Sequence, residues 1–210
     1  EAVMEMVRQV VKATKAIRFS GNGYSDEWKA DAKKRSLPIL NTTPDALEVL
    51  KDKKLTQFLI DTKVLSKEEI ESRYHIAVER YVKTLDIEHS SLLELASTYI
   101  IPTLEKQMTL MGATTEAMTT APLKRAHKVR SAEFEETFTE VLENYQTFKT
   151  KVEKSRKGHD ENKRMWDIVE DLQPAAFKLR AAIDAAELIV ADELWPLPKY
   201  REMLLAHTLA

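Results

Sequence analysis

FEETFTEVLENYQTFKTKV, residues Phe134–Val152, places Phe134, Phe138, Val141, Tyr145, Phe148 and Val152 at alternating intervals of four and three residues. An α-helix turns once in 3.6 residues, so this spacing keeps one apolar stripe on one side of the rod, where a partner helix covers it. A strand shows a period of two instead. The partner follows directly in the chain. Lys157-Gly158-His159-Asp160 makes a corner, and Met165, Ile168, Leu172, Leu179, Ile183, Ala186 and Val190 form a matching stripe beyond it. Pro174 lies inside that stripe and predicts a bend. The two segments read as a long antiparallel, coiled-coil-like hairpin.

Upstream, Ser66-Lys67-Glu68-Glu69 has the form of a capping box and opens a long helix. Ile70, Tyr74, Ala77, Tyr81, Leu85, Leu92, Leu95 and Tyr99 supply its apolar side. Continued to Gln107 it would span roughly 60 Å at 1.5 Å per residue. Pro102 predicts a kink near Ile101. Met108 to Ala121 is rich in Thr, Ala and Met and holds Gly112, which marks it as a long connection or a weak helix. Ser131 then reads as the N-cap of the helix that carries the aromatic seam.

Shorter helices occupy the first 65 residues. Val3, Val7, Val10, Val11 and Ile17 give an amphipathic helix that ends before Ser20-Gly21-Asn22-Gly23. Ser25 caps the next, and Leu37-Pro38 ends it near Ser36. Thr43-Pro44-Asp45 restarts the chain, with Thr as cap and Pro at the first helical position. Two further short helices run through Leu50 and Ile60. After the hairpin, Leu194-Trp195-Pro196-Leu197-Pro198 interrupts helical structure, and Tyr200 to Leu209 forms a last short helix.

Composition agrees with this reading. Four Gly and 7 Pro in 210 residues are too few turn formers for a many-stranded sandwich. The expected fold is all-α, an elongated helical bundle, with 1–65 as short helices and turns and 66–210 as the long-helix bundle of one domain. With no Cys, sulfur-based redox chemistry, disulfides and Cys zinc sites are excluded. Lys plus Arg number 32 against 34 Asp plus Glu, a near-balance that implies no nucleic-acid partner. No apolar run is long enough to cross a bilayer, so a soluble, cytoplasmic chain is expected.

Chemistry-bearing constellations are sparse. Gly21-Asn22-Gly23 invites a phosphate-loop reading, but a helix precedes it and Asp26 stands where a dinucleotide fingerprint needs its third glycine. Asp86 and His89 stand three apart, like half of a di-metal carboxylate site, yet the facing stripes offer Phe, Val, Ile and Leu. Glu71, His75 and Glu79 have metal-compatible spacing that surface pairs also show. Lys124, Arg125, His127, Lys128 and Arg130 form a basic cluster, read as a solvated helix start. His127, His159 and His207 are expected in solvent. The Phe134–Phe148 seam reads as core rather than as a ligand cavity. No nucleophile with a positioned base emerges, and no catalytic, cofactor-binding or metal-binding residue is assigned.

Four stretches carry a resemblance: RFSGNGYSDEW (Arg18–Trp28), KRSLPILNTTPDAL (Lys34–Leu47), SRYHIAVERYVKTLDIEHSSLLELASTYIIP (Ser72–Pro102) and ADELWPLPKYREMLL (Ala191–Leu205). In order and spacing they resemble the C-terminal region of type III glutamine synthetases. The chain departs from the family pattern at Ser20, where Asn is usual, and around His89-Ser90-Ser91. The resemblance implies a parent enzyme that uses ATP and a divalent metal, magnesium or manganese, to join ammonia to glutamate in a double-ringed homo-oligomer. It implies that the acidic metal ligands and nucleotide-binding segments precede this chain, which alone would be inactive. A non-catalytic module for packing or assembly against the catalytic portion and neighbouring subunits is then expected. An autonomous helical adaptor and a metal-binding bundle built on Asp86 and His89 are the alternatives.

Overall fold

The computed structural model describes residues 2–18 and 20–205, and every regular element among them is helical. Two compact units divide the chain, Glu1–Asn41 and Thr42–Ala210.

The first unit holds α1 (Ala2–Ala13), a 3₁₀ turn at Lys15–Ile17 and α2 (Asp26–Lys34). Ser25 caps α2 as expected, its hydroxyl accepting from the Trp28 N–H at 3.2 Å. At its other end Ser36 takes φ +57°. The N–H groups of Ser36 and Leu37 thereby turn back onto the carbonyls of Lys33 and Ala32, which closes the helix in a Schellman motif without a glycine.

The second unit begins with α3 (Thr43–Glu48), a 3₁₀ turn at Val49–Lys51 and α4 (Lys53–Asp61). The cap of α3 is Thr42, one residue before the expected Thr43; its hydroxyl accepts from the Asp45 N–H and donates to the Asp45 carboxylate. Then come α5 (Lys67–Leu95), α6 (Ile101–Ala117), α7 (Ala121–Arg156), α8 (Glu161–Asp167), α9 (Gln173–Ile189) and α10 (Tyr200–Leu205). The capping box that opens α5 is present in both directions. Glu69 N–H donates to Ser66 Oγ at 3.2 Å, and Ser66 N–H donates to the Glu69 carboxylate at 2.6 Å. The expected last helix keeps its start at Tyr200; residues 206–209 lie outside the described range.

Both interior prolines are absorbed without breaking their rods. A π turn, Ala96–Ile100, joins α5 to α6, and a second, Ile168–Leu172, joins α8 to α9. Each ends two residues before its proline. Ile101 N–H donates to Ala96 O and Gln173 N–H to Ile168 O, five residues back rather than four. Pro102 and Pro174 lack an N–H, and in a strict α-helix their rings would press on the carbonyl four residues earlier; the wider turn moves that carbonyl away.

Three rods form the bundle: α5–α6, α7, and α8–α9. Helix α7 packs along α9, α6 along α7, and α5 against α8. The expected hairpin is therefore present, with the long helix from Ser66 laid on it. Every residue of the return stripe is buried, and in the seam only Tyr145 is half-exposed.

Two expectations change and a third is resolved. Of the two readings of Met108 to Ala121, the helix is the one observed: α6 runs to Ala117, leaving Met118–Thr120 as the link. Helix α7 starts eleven residues earlier than the Ser131 cap implied, with Pro122 in its first turn, where a missing N–H costs nothing. On the first rod the buried residues are Ile70, Tyr74, Val78, Val82, His89, Ala96, Ile100, Thr103, Leu104, Gln107 and Met111, while Leu95 and Tyr99 are exposed. The inward line already runs through Val78 and Val82 rather than Ala77 and Tyr81 before the π turn, and it continues through His89 to Ala96 and Ile100 rather than Leu95 and Tyr99.

Candidate functional site

The most polar interior junction lies where α5 meets the corner of the hairpin. Asp86, on α5, receives Arg164 of α8 in a close ion pair and has Arg156, at the end of α7, 3.9 Å away. Arg156 also donates to the Asp86 backbone carbonyl at 3.1 Å and to the Ser90 hydroxyl. The carboxylate is thus committed to two guanidinium groups, which repel any cation brought beside it. His89 points elsewhere. It is 3% exposed and stands edge-on to Phe148, ring centroids 5.3 Å apart and planes at 89°. Three residues apart on one helix, the pair splits between an ion-pair cluster and the core. Among the described residues no three His, Cys, Asp or Glu side chains gather as a metal-binding group.

Burial pushes the His89 imidazolium below its ordinary 6.5, against the opposing pull of Asp86 and with a smaller push from Arg156. The unfolded chain therefore binds this proton more readily than the folded one. The contribution to stability is complete above about pH 6.5 and is lost as pH falls below it. Unfolding in urea at pH 7 and pH 5 should show wild type losing more stability on acidification than His89→Leu. Equal losses would place the imidazole in water.

A second polar junction ties the short helices to the bundle. The Tyr74 hydroxyl contacts Asn162 Oδ1 at 2.5 Å and Glu48 Oε1 at 3.1 Å, and Lys51 lies 5.3 Å above its ring while pairing with Glu48 at 2.9 Å. Beside it a groove of about 590 Å³ runs between α4 and α5, with Leu50, Ile60 and Ile70 beneath Lys51, Lys53 and Lys67. His75 lines this groove and Glu71 pairs with Lys67 at 3.6 Å, so Glu71, His75 and Glu79 form no ligand set.

The remaining candidates disperse. In the glycine turn Asn22 Oδ1 accepts from the Tyr24 N–H at 2.9 Å, and a side chain added at Gly23 would meet no atom within 4 Å, so no close approach requires a glycine at that position. In the basic cluster Lys124, Arg125, Lys128 and Arg130 are exposed. His127 is not in solvent as expected: it is 8% exposed, with Nδ1 3.3 Å from Thr115 Oγ1 and 3.2 Å from Ser131 Oγ. The hydroxyl expected to cap a helix instead holds an imidazole between α6 and α7. His159 is exposed, and His207 lies outside the described residues. Arg156 and Arg164 carry no sequence signal for their role, since their partner stands 70 to 78 residues away.

Residues 2–119 match the family model described as glutamine synthetase C-terminal domain. A glutamine synthetase of Bacteroides fragilis (strain YCH46) is 30% identical over 211 residues, covering 97% of this chain and 29% of that protein. A type-3 glutamine synthetase of Dictyostelium discoideum is 30% identical over 196 residues, 89% of this chain and 26% of that protein. A glutamine synthetase of Butyrivibrio fibrisolvens is 37% identical over 95 residues, 45% of this chain and 14% of that protein. The chain thus spans less than a third of the length of the curated relatives it matches. The family model matches more than half of the chain, and the similarity to the Bacteroides fragilis protein extends over 97% of it: this chain belongs to the glutamine synthetase C-terminal domain family.

Proposed function

We propose that this chain is the C-terminal module of a type III glutamine synthetase, a cytoplasmic enzyme that joins ammonia to the side-chain carboxylate of glutamate. ATP and magnesium or manganese would serve the parent enzyme. Asp86 is held by Arg164 and Arg156, and among the described residues no three His, Asp or Glu side chains gather as a metal-binding group. No chemical step is therefore assigned to them, and the isolated chain is expected to be inactive. Its contribution is mechanical. Residues 66–210 present a rigid bundle and residues 1–65 join it to the catalytic portion, so that the module packs on that portion and on neighbouring subunits of a homo-oligomer.

The observation that carries this reading is the similarity over 97% of the chain to a glutamine synthetase of which it spans 29%. Deleting residues 66–210 from the complete enzyme tests it. The truncated protein should sediment as a smaller particle and form glutamine at least about tenfold more slowly, since misassembled reacting groups lose that much from an error near 1 Å. Unchanged assembly together with unchanged turnover would remove the module from both roles.

A further inference from the structure

We propose that the apolar face of α1 is a docking strip for the catalytic portion that precedes this module in the parent enzyme, an inference that rests on the reading above. At 100° per residue Val3, Val7 and Val10 fall on one line of α1, flanked by Met6, Val11 and Met4, while Glu5, Arg8, Gln9 and Lys12 occupy the opposite side. A helix patterned in this way buries its apolar arc against another element. Here the six apolar side chains are all between 44% and 69% exposed, and no residue of α1 is buried.

The first unit has no core to hold that face. Among its described residues Ala32 is the only buried apolar side chain, and Ile17, Tyr24, Leu37 and Leu40 are exposed as well. A twelve-residue helix is marginal in water by itself, and a stretch of some 40 residues without disulfide or metal rarely buries enough surface to stand alone. Residues 1–41 therefore depend on a surface outside themselves. The length of the relatives says where that surface lies. The Bacteroides fragilis protein is covered to only 29%, and the matching family is a C-terminal domain, so in a parent of that length the bulk of the catalytic portion would precede the module and α1 would be the described helix nearest to it in sequence. Covalent connection raises the effective concentration of that surface to the millimolar range, enough for a modest apolar contact to be occupied.

The test compares Val7→Asp/Val10→Asp with wild type in two settings: the isolated 210-residue chain and the complete enzyme from its full reading frame. In the isolated chain the melting midpoint should stay within about one degree, because the bundle core lies in 42–210 and the valines are already in water. In the complete enzyme it should fall by about 5 °C or more, with trypsin cutting at Arg8, Lys12 and Lys15 several-fold faster. Lys12→Ala, on the polar side, should leave both proteins unaffected. A complete enzyme indifferent to the double substitution would overturn the proposal. So would equal destabilisation of the isolated chain, which would mean that this chain covers α1 itself, or a dimer of the isolated chain that the substitution splits, which would make the occupant a second copy. Glutamine formation by the unsubstituted enzyme reports separately on the parent reading. Without it that reading falls, while the melting comparison still decides whether the upstream portion covers α1; a frame with no upstream portion overturns both.

Discussion

Leu172→Asp is expected to abolish cooperative folding of the bundle near physiological temperature. Leu172 is 2% exposed and ends the π turn of the third rod, which packs on α7. A carboxylate there leaves water and meets the apolar cluster of Phe148, Val152, Ile168 and Leu179. Lys151, on the facing helix, is already engaged: it bonds Asp171 at 2.7 Å and holds that carboxyl below the usual range. Burying an unpaired charge, or unfolding locally to avoid it, costs about 4 kcal/mol or more, a large share of the roughly 5–15 kcal/mol that holds a domain together. The thermal midpoint by circular dichroism should drop by at least about 10 °C. Leu172→Met, which keeps the volume, should cost under about 1.5 kcal/mol and serves as the control. A native midpoint in the Asp variant would put this position on the surface. Phe138→Asp acts on the same seam from α7, at a position 9% exposed, and should destabilise strongly but less.

Phe148→Ala is the second large effect. Phe148 is a fully buried member of the seam, and truncation there costs about 3–5 kcal/mol through lost transfer energy and the cavity left behind. The edge-on contact with His89 adds about 0.5–1.5 kcal/mol to what is lost. This variant carries its own signature. His89 Nδ1 has no hydrogen-bond partner, and opening space beside the ring admits water to it. Solvation favours the imidazolium, so the His89 pKa should rise toward 6.5 and the loss of stability between pH 7 and pH 5 should shrink along with the total. Urea unfolding at the two pH values measures both. A loss below about 1 kcal/mol, or an acid dependence equal to wild type, would contradict the packing of Phe148 on His89.

The hairpin was legible because its signal is local. Heptad spacing from Phe134 to Val152, a short corner at Lys157–Asp160 and a second stripe need only neighbouring residues to be recognised, and their burial follows. The capping box at Ser66 was legible for the same reason. What failed was inference where neighbouring positions compete for one face or where a residue type has two uses. Leu95 and Tyr99 were expected inside, but the buried line of α5 runs through Val78, Val82 and His89 and so reaches Ala96 and Ile100 instead, and Ser131 was read as a cap although serine also serves as a mid-helix hydroxyl, here for His127. Met108 to Ala121 looked weak by propensity, but burial of Met111 against the bundle keeps α6 helical to Ala117. At the candidate sites, the split of Asp86 from His89 was unreadable, because the arginines that claim Asp86 come from the corner of the hairpin, 70 and 78 residues further along the chain.

The amino-acid sequence by itself determined that this protein is helical, where its two longest seams lie and which family it resembles. Each of these rests on periodicity, caps and residue types that act within a few turns of one chain segment. Only the tertiary structure decided that Asp86 is an arginine anchor, that His89 and His127 are interior, that both prolines ride on π turns, and that the apolar face of α1 stands uncovered. Those are outcomes of which surfaces meet, and the free energy of burial is set by the partner that arrives as much as by the residue that is buried.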